Sequence, residues 1–230
     1  MIIGNGMVAK GFRAYDQNDE VIIFASGVSN SANTDRSQFD KEQAILEKAI
    51  LENPFRKFIY FSTCSVYDHS LRQAPYVLHK LAMEALIENT HSNFLIFRVS
   101  NIAGKTKNPH TVLNYFYNHI MDGSHFNLWE TAQRNIISMD DLFSICDYII
   151  QHTLFKNEIL NVANKKNYDV KYIVQELEKF TGRKAHFTSL QKGSGPLINL
   201  SKIDSLFTKM NIQFNDDYLQ KVMHKYFNKI

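Results

Sequence analysis

Four short runs of consecutive apolar residues constrain the fold of this chain more than any other feature. They are Val21–Phe24 (VIIF), Lys57–Ser62 (KFIYFS), Asn93–Val99 (NFLIFRV) and Ile159–Val162 (ILNV). A strand with one face in water alternates apolar and polar residues, whereas a strand that is buried on both faces is apolar throughout. The runs therefore predict strands of a parallel sheet that is covered by helices on both faces.

Segments with apolar residues at helical spacing separate these strands. They predict helices at Met7 to about Asp16, Asp40–Leu51, Tyr76–Glu88, Val112–Met121, Leu142–Gln151 and Val170–Phe180. Short strands are predicted at Met1–Ile3 and Ala185–Thr188, and two short helices in the last 30 residues. The alternation predicts the fold class, an α/β protein with a compact Rossmann-type parallel sheet and a small C-terminal lobe.

Composition narrows the classes of function. The chain is 44% hydrophobic and 21% charged, and its formal charge of +3 comes from scattered basic residues, which argues against a nucleic-acid partner. Apolar runs are shorter than the roughly 18 residues of a membrane span, and the first residues lack a secretion signal, so we expect no membrane partner. Cys64 and Cys146 form no Cys-x-x-Cys pair. We therefore expect a cytoplasmic protein without a disulfide framework or a metal site.

The segment MIIGNGMVAKGF carries Gly4, Gly6 and Ala9 in a GxGxxA pattern. It follows an apolar strand and precedes a helix, which is the context in which such a loop holds a pyrophosphate through backbone N–H groups. From the pattern alone two interpretations stay open. The segment is a phosphate-binding loop, or its glycines only permit a tight turn.

A second segment, FSTCSVYD at residues 61–68, leads a buried strand directly into hydroxyl side chains. Ligands of parallel sheets bind at the carboxyl ends of the strands, so Ser62, Thr63 and Ser65 are suitably placed to bond a substrate oxygen. Alternatively, these side chains only cap the turn that follows the strand.

A third segment, PYVLHKLAMEAL, places Tyr76 and Lys80 one turn apart on the same face of a helix. A phenol titrates near pH 10, and a neighbouring ammonium lowers that pKa. Tyr76 is then suited to exchange a proton with an alcohol or a carbonyl. Taken alone, the Tyr-x-x-x-Lys pattern is more often a chance feature of an amphipathic helix.

In this order, the glycine loop, the Ser-Thr strand end and the Tyr-x-x-x-Lys helix resemble the extended short-chain dehydrogenase/reductase family. That family contains NAD-dependent sugar-nucleotide epimerases, dehydratases and reductases. The resemblance extends to VIIFASG, STCSVYD, FRVSNIAG, RNIISMDDL and ILNVANK, and so covers nearly the whole chain. Its specificity lies in the ordered set of motifs.

The resemblance implies a role for each matched residue. Tyr76 would be the catalytic acid and base, Thr63 would orient the reacting oxygen, and Lys80 would tune Tyr76 and hold the nicotinamide ribose. The cofactor, NAD or NADP, would contact Gly4, Asn5, Gly6, Met7, Val8, Ala25, Ser26, Ser62, Tyr76, Lys80, Val99 and Ser100. The substrate, a nucleotide sugar, would contact Thr63, and Asn101 and Arg134 would hold its diphosphate.

One departure from the family pattern affects the cofactor site. Family members place their second and third strands between the first helix and the Ala-Ser strand, but here only Arg13–Glu20 fills that gap. The second strand normally ends in the acidic residue that holds the adenine ribose. We therefore expect the adenosine half of the site to be missing, the first strand to lie at a sheet edge, and NAD and NADP to be poorly distinguished.

Three hypotheses of function remain. The first is an NAD(P)-dependent oxidoreductase or epimerase that acts on a nucleotide-activated sugar, the chemistry of polysaccharide biosynthesis. The second is a non-catalytic sensor or scaffold of the same fold, which the shortened cofactor site favours. The third is an enzyme of this fold that uses no dinucleotide. Cys64 and Ser65 occupy the places where family dehydratases often have Asp-Glu, which argues against dehydration.

The resemblance also predicts the domain organisation and a partner. Residues 1–104 and 135–164 would form the nucleotide-binding core, and residues 105–134 and 165–230 a smaller substrate-binding lobe. Members of the family often form homodimers through the Tyr-x-x-x-Lys helix and the helix before it, so a second copy of the chain is an expected partner.

Overall fold

Strands and helices alternate along the chain in the computed structural model, which describes residues 1–227. The strands are β1 (Ile2–Ile3), β2 (Val21–Phe24), β3 (Lys57–Thr63), β4 (Phe94–Val99), β5 (Asn101–Ala103), β6 (His125–Trp129), β7 (Gln133–Ser138), β8 (Glu158–Val162), β9 (Asn167–Asp169) and β10 (His186–Leu190). The helices are α1 (Met7–Gly11), α2 (Arg36–Glu52), α3 (Pro75–Thr90), α4 (Val112–Asp122), α5 (Met139–Gln151), α6 (Val170–Thr181), α7 (Asp204–Lys209) and α8 (Tyr218–Phe227).

The central sheet has the strand order β1-β2-β3-β4-β8, and every neighbouring pair in it is parallel. In its middle, β2 pairs with β3 through Phe24↔Tyr60, and β3 pairs with β4 through Thr63↔Val99. The carboxyl ends of these strands therefore open at the same edge. The prediction of a Rossmann-type α/β fold with a parallel sheet is confirmed.

Both faces of this sheet are buried, which explains the continuous apolar runs. Ile22, Phe58 and Ile96 pack on one face in a cluster with side chains of α2 and α3. Ile23 and Leu95 belong to a second and larger cluster, which includes side chains of α5. Because successive strand residues point to opposite faces, each strand needs an apolar residue at nearly every position.

The remaining strands form two smaller sheets, one with the order β5-β7-β9 and one that pairs β6 with β10. Of these strands, the sequence predicted only β10. β5 and β9 have only three residues each. β6 alternates buried and exposed positions, as a strand with one solvent-exposed face does. A search for continuous apolar runs therefore misses them.

Two predicted helix boundaries differ from the structure by four residues or more. The first helix ends at Gly11 and not near Asp16, and a 3-10 turn at Arg13–Tyr15 follows it. Gly11 packs so closely on Met139 that a Cβ there would lie 2.3 Å from its terminal methyl carbon. The second helix begins earlier than predicted, at Arg36, because the Asp35 side chain accepts a hydrogen bond from the Ser37 N–H and caps it.

The segment between β1 and β2 is short, as predicted. Within the described residues it holds α1 and the turn at Arg13–Tyr15 but no strand, and β1 is an edge strand of the central sheet. The two short helices predicted near the C-terminus are α7 and α8, and residues 228–230 lie outside the described part of the chain.

We expect Gly4→Ala to lower the free energy of unfolding by about 2 kcal/mol or more. Gly4 has a φ of +130°, and a Cβ there would lie 2.4 Å from the carbonyl oxygen of Ala25 on the neighbouring strand end. The matched control is Gly6→Ala, because a Cβ at Gly6 meets no atom within 4 Å. Gly6→Ala should lower the free energy of unfolding by less than about 1 kcal/mol. Urea unfolding followed by circular dichroism measures both, and equal losses would contradict this interpretation.

Candidate active site

A cavity of about 610 Å³ opens at the carboxyl ends of β1, β2, β3 and β4. This is the edge at which parallel α/β sheets bind their ligands. The turn after β1, the segment after β2, the end of β3 and the segment after β4 all contribute to its wall.

The cavity brings together all but one of the predicted site residues. Its wall includes Asn5, Gly6, Met7, Val8, Ala25, Ser26, Ser62, Thr63, Tyr76, Lys80, Val99, Ser100, Asn101 and Arg134. Gly4 is the exception, since it packs against the Ala25 backbone and does not line the cavity. Gly4 therefore allows β1 to approach the end of β2, and Gly6 is the glycine that faces open space.

Thr63 ends β3 and caps the 3-10 turn that follows it. Its Oγ1 accepts a hydrogen bond from the Ser65 N–H at 3.0 Å and donates one to Ser65 Oγ at 3.0 Å. Thr63 therefore caps this turn. Because a hydroxyl both donates and accepts, the O–H of Thr63 can still turn toward a ligand in the cavity.

Tyr76 and Lys80 lie one turn apart on α3, which begins at Pro75. Both side chains are buried, and both line the cavity. Lys80 Nζ donates a hydrogen bond to Glu42 Oε1 at 2.8 Å and another to the Tyr60 hydroxyl at 3.0 Å. An ammonium has three N–H donors, so one is left for a ligand.

Glu42, on α2, is the counterion of Lys80. Burial alone would raise the pKa of this carboxyl, but the His79 imidazole and the Lys80 ammonium outweigh burial and lower the pKa to about 2. Tyr60 also donates its hydroxyl hydrogen to Glu42, and burial raises the pKa of this phenol well above its usual value. Glu42 is therefore a carboxylate and Tyr60 a neutral phenol at neutral pH.

Ser62, a predicted cofactor contact, lines the cavity, but its hydroxyl is bonded to a side chain outside the cavity wall. Its hydroxyl donates to Glu84 Oε1, and Arg98 donates to both oxygens of the same carboxylate. The Arg98 Nη1 donates to the Tyr67 hydroxyl at 2.9 Å, and this hydroxyl in turn donates to Asn161 at 2.9 Å. This network joins α3, β3, β4 and β8 beneath the cavity floor.

Arg134 and Asn101, the two predicted contacts of the substrate diphosphate, both line the cavity. Arg134 Nη1 lies 3.8 Å from Asp68 Oδ2, and Asn101 Nδ2 donates to the Asn135 carbonyl at 2.8 Å. Burial alone would raise the pKa of Asp68, but hydrogen bonds from Ser194 and Ser70 outweigh it and lower the pKa. Asp68 is therefore an anion next to the predicted phosphate-binding arginine.

Ser100 and Cys64 are two further cavity residues, and only Cys64 has a hydrogen-bond partner for its side chain among the described residues. Ser100 Oγ is buried and has no hydrogen-bond partner among the described residues, although Ser100 lines the cavity. Cys64 is buried, its Sγ donates to the Arg98 carbonyl at 3.2 Å, and burial raises the pKa of its thiol. Cys64 is therefore a buried packing residue and not a reactive thiolate.

Sequence reasoning missed Glu42, Tyr60 and Asp68. Glu42 stands in an ordinary amphipathic helix, and Tyr60 inside an apolar strand, so neither position carries a chemical signal. Asp68 is the last residue of FSTCSVYD, a segment in which only the hydroxyl side chains were considered for binding.

Comparison with known proteins identifies the family. The family model described as "NAD dependent epimerase/dehydratase family" matches residues 6–163, which is more than half of the chain. The chain belongs to the NAD-dependent epimerase/dehydratase family. The recognition made from the ordered motifs is confirmed, and so is a nicotinamide cofactor at the level of the family. Among curated proteins, none matches the sequence.

Several solved structures share the fold at low sequence identity. UDP-glucose 4-epimerase of Thermus thermophilus, solved with NAD, superposes with a TM-score of 0.69 at 14% identity, over 94% of this chain and 79% of that one. UDP-glucuronic acid 4-epimerase of Bacillus cereus, solved with UDP-glucuronic acid and NAD, gives 0.69 at 19% identity, over 90% and 83%. RMD of Pseudomonas aeruginosa, solved with NADPH, gives 0.70 at 14% identity, over 89% and 90%.

Within residues 1–227, none of the helices combines the length and the apolarity needed to cross a bilayer. In the same residues, His, Cys, Asp and Glu side chains form no group of three or more that is placed to hold a metal ion.

Protonation of Glu42 should destabilise this family member in acid. Its pKa is lowered from 4.5 to about 2 in the folded protein, so the folded state binds fewer protons than the unfolded state between these values. The contribution, about 3 kcal/mol, is present above the unfolded pKa and is lost as the pH falls toward the folded pKa.

Urea unfolding of the wild type and of Glu42→Gln at several pH values measures this contribution. The stability difference between them should shrink as the pH falls from about 6 to about 3. A difference that does not depend on pH would show that the Glu42 carboxylate is not stabilised in the folded protein.

Proposed function

We propose that this chain is an NAD(P)-dependent oxidoreductase or epimerase that acts on a nucleotide-activated sugar through Thr63, Tyr76 and Lys80. The observation that carries the proposal is that these three side chains line one cavity together with the glycine turn at Asn5–Val8. The family and the structural neighbours give the reaction class, and the order of motifs in this sequence gives the roles.

The residues of the cavity fit the nicotinamide half of a dinucleotide. Gly6 presents open space at the start of α1, where a Cβ would meet no atom within 4 Å. The buried hydroxyl of Ser100 lacks a partner among the described residues, and Lys80 has one N–H donor left. We assign these groups, with Ala25, Ser26 and Val99, to the pyrophosphate, the ribose and the nicotinamide ring.

The proposed mechanism assigns proton transfer to the chain and redox chemistry to the cofactor. A nicotinamide nucleotide held by these residues would supply hydride transfer from and to the sugar carbon. Tyr76 removes the proton of the sugar hydroxyl during oxidation and returns it during reduction. Thr63 turns its O–H away from Ser65, donates it to the same sugar oxygen and so orients that oxygen. Lys80 holds the ribose.

Arg134 and Asn101 are proposed to hold the diphosphate of the substrate. A guanidinium suits this task because its planar fork matches the oxygens of a phosphate. The neighbouring carboxylate of Asp68 lies 3.8 Å from Arg134, so the diphosphate would have to compete with this chain's own anion.

A non-catalytic ligand-binding protein of the same fold is the second candidate function. It is favoured by one observation, that both Lys80 and Arg134 are already paired with carboxylates of the chain. Such a protein would bind a nicotinamide nucleotide but turn over no sugar nucleotide. We propose the cytoplasm as its location and a homodimer as its assembly under either function.

We expect NADH and NADPH to bind with dissociation constants within about threefold of one another, and reduced nicotinamide mononucleotide, which lacks the second phosphate, to bind only a few-fold more weakly. The cavity is lined on the nicotinamide side by β2, β3 and β4, whereas β1 is an edge strand within the described residues. Calorimetric titration of protein that has been freed of bound nucleotide measures the three constants. Binding of NADH at least tenfold tighter than the mononucleotide would show that the chain holds the adenosine half.

We expect Tyr76→Phe to lower kcat on a responsive nucleotide sugar by about 10² to 10⁴, because the variant lacks the proton-exchanging hydroxyl. Across a panel of nucleotide sugars, oxidation or reduction is followed by the absorbance of reduced nicotinamide, and epimerisation by chromatographic separation of the nucleotide sugars. Tyr148→Phe, on α5 and outside the cavity wall, is the matched control and should keep wild-type kcat. Full turnover by Tyr76→Phe would overturn the catalytic assignment.

A further inference from the structure

A buried carboxylate outside the predicted catalytic set holds the amine of Lys80. Glu42 is 3% exposed, and its Oε1 accepts hydrogen bonds from Lys80 Nζ and the Tyr60 hydroxyl, each at 2.8 Å. Its Oε2 accepts a hydrogen bond from the Val28 N–H at 2.8 Å and lies 3.1 Å from His79 Nε2. One side chain of α2 thus joins β3, α3 and the loop that follows β2.

The backbone of Gly27 packs directly on this ion pair. A Cβ at residue 27 would lie 2.8 Å from Lys80 Nζ and 2.9 Å from Glu42 Oε1. Gly27, Val28 and Lys80 all line the cavity. The same carboxylate therefore fixes both the amine and the neighbouring backbone on one wall of the cavity.

Fixing the amine matters because a lysine side chain is a flexible four-carbon stem with many rotamers. Ordering such a side chain at the moment of binding reduces affinity, and ordering it beforehand removes that cost. A buried ammonium without a counterion is also strongly disfavoured. Glu42 meets both requirements, and the Tyr60 hydroxyl completes the set of contacts on the amine.

We propose that Glu42 is a positioning residue of the cofactor site. It holds the Lys80 amine and the Gly27–Val28 backbone where the nicotinamide ribose binds, so the site is ordered before the cofactor arrives. This assignment rests on the proposed function, since it requires a nicotinamide nucleotide in the cavity.

A double-mutant cycle tests the proposal, with wild type, Glu42→Gln, Lys80→Met and the double variant. The dissociation constant of NADH is measured by calorimetry for all four proteins. Glu42→Gln should weaken NADH binding about tenfold in the wild-type background and less than about twofold in the Lys80→Met background. The fluorescence anisotropy of bound NADH should also fall in Glu42→Gln, because the ribose is held less firmly.

Controls separate positioning from folding. Glu47→Gln changes an exposed carboxylate on the same helix, whose contact is with Gln43, and should leave the NADH affinity unchanged. Circular dichroism and urea unfolding show which variants are folded. If Glu42→Gln does not fold, Glu42→Asp keeps the charge, shortens the reach to Lys80 and takes its place in the cycle with the same expected loss of coupling.

The outcomes are distinguishable. Losses that add up in the double variant would overturn the positioning role and leave the proposed function intact, because Glu42 would then act independently of Lys80. Failure of the wild type to bind NADH, NADPH and the reduced mononucleotide would overturn the proposed function, and this assignment with it.

Discussion

The parallel pairing of β2, β3 and β4 determines where the cavity of this protein forms, because the carboxyl ends of all three strands open at the same edge of the sheet. Phe24 pairs with Tyr60, and Thr63 with Val99, so the segments after β2, β3 and β4 meet at one edge. A slip of one residue would send each inward side chain to the opposite face, and both faces are buried. Burial therefore fixes the register, and the register fixes the cavity.

Charge inside the cavity is balanced before any ligand binds. Lys80 is paired with Glu42, and Arg134 lies 3.8 Å from Asp68. These pairs differ in their consequences. Glu42 holds the Lys80 amine and lies outside the proposed substrate contacts, whereas Asp68 lies at the proposed diphosphate site. Under the proposed function, the cofactor side of the cavity would be ordered before binding, and a substrate diphosphate would have to separate Arg134 from Asp68.

The short connection between β1 and β2 shows how separable the parts of this fold are. Within the described residues no strand lies between them, yet the sheet beyond β1 keeps its order and the cavity keeps its predicted lining. Each strand of the sheet is hydrogen-bonded only to its neighbours, so a short connection at one edge leaves the pairing of β2, β3, β4 and β8 unchanged. The segments after β2, β3 and β4 line the part of the cavity that is proposed to hold the nicotinamide.

The sequence alone determined the parallel α/β fold, because continuous apolar runs are a local signal. The order of the motifs also predicted that the glycine turn, Thr63, Tyr76 and Lys80 share one site. The sequence did not determine the strands β5, β6, β7 and β9, which are short or half polar. Nor did it reveal that Gly4 packs on Ala25 while Gly6 faces the cavity, or that Glu42 and Asp68 pair with the two cationic side chains of the cavity. Those partners lie 38 and 66 positions away along the chain. Only the tertiary structure brings them together, because a buried charge selects its counterion by proximity in space and leaves no pattern along the chain.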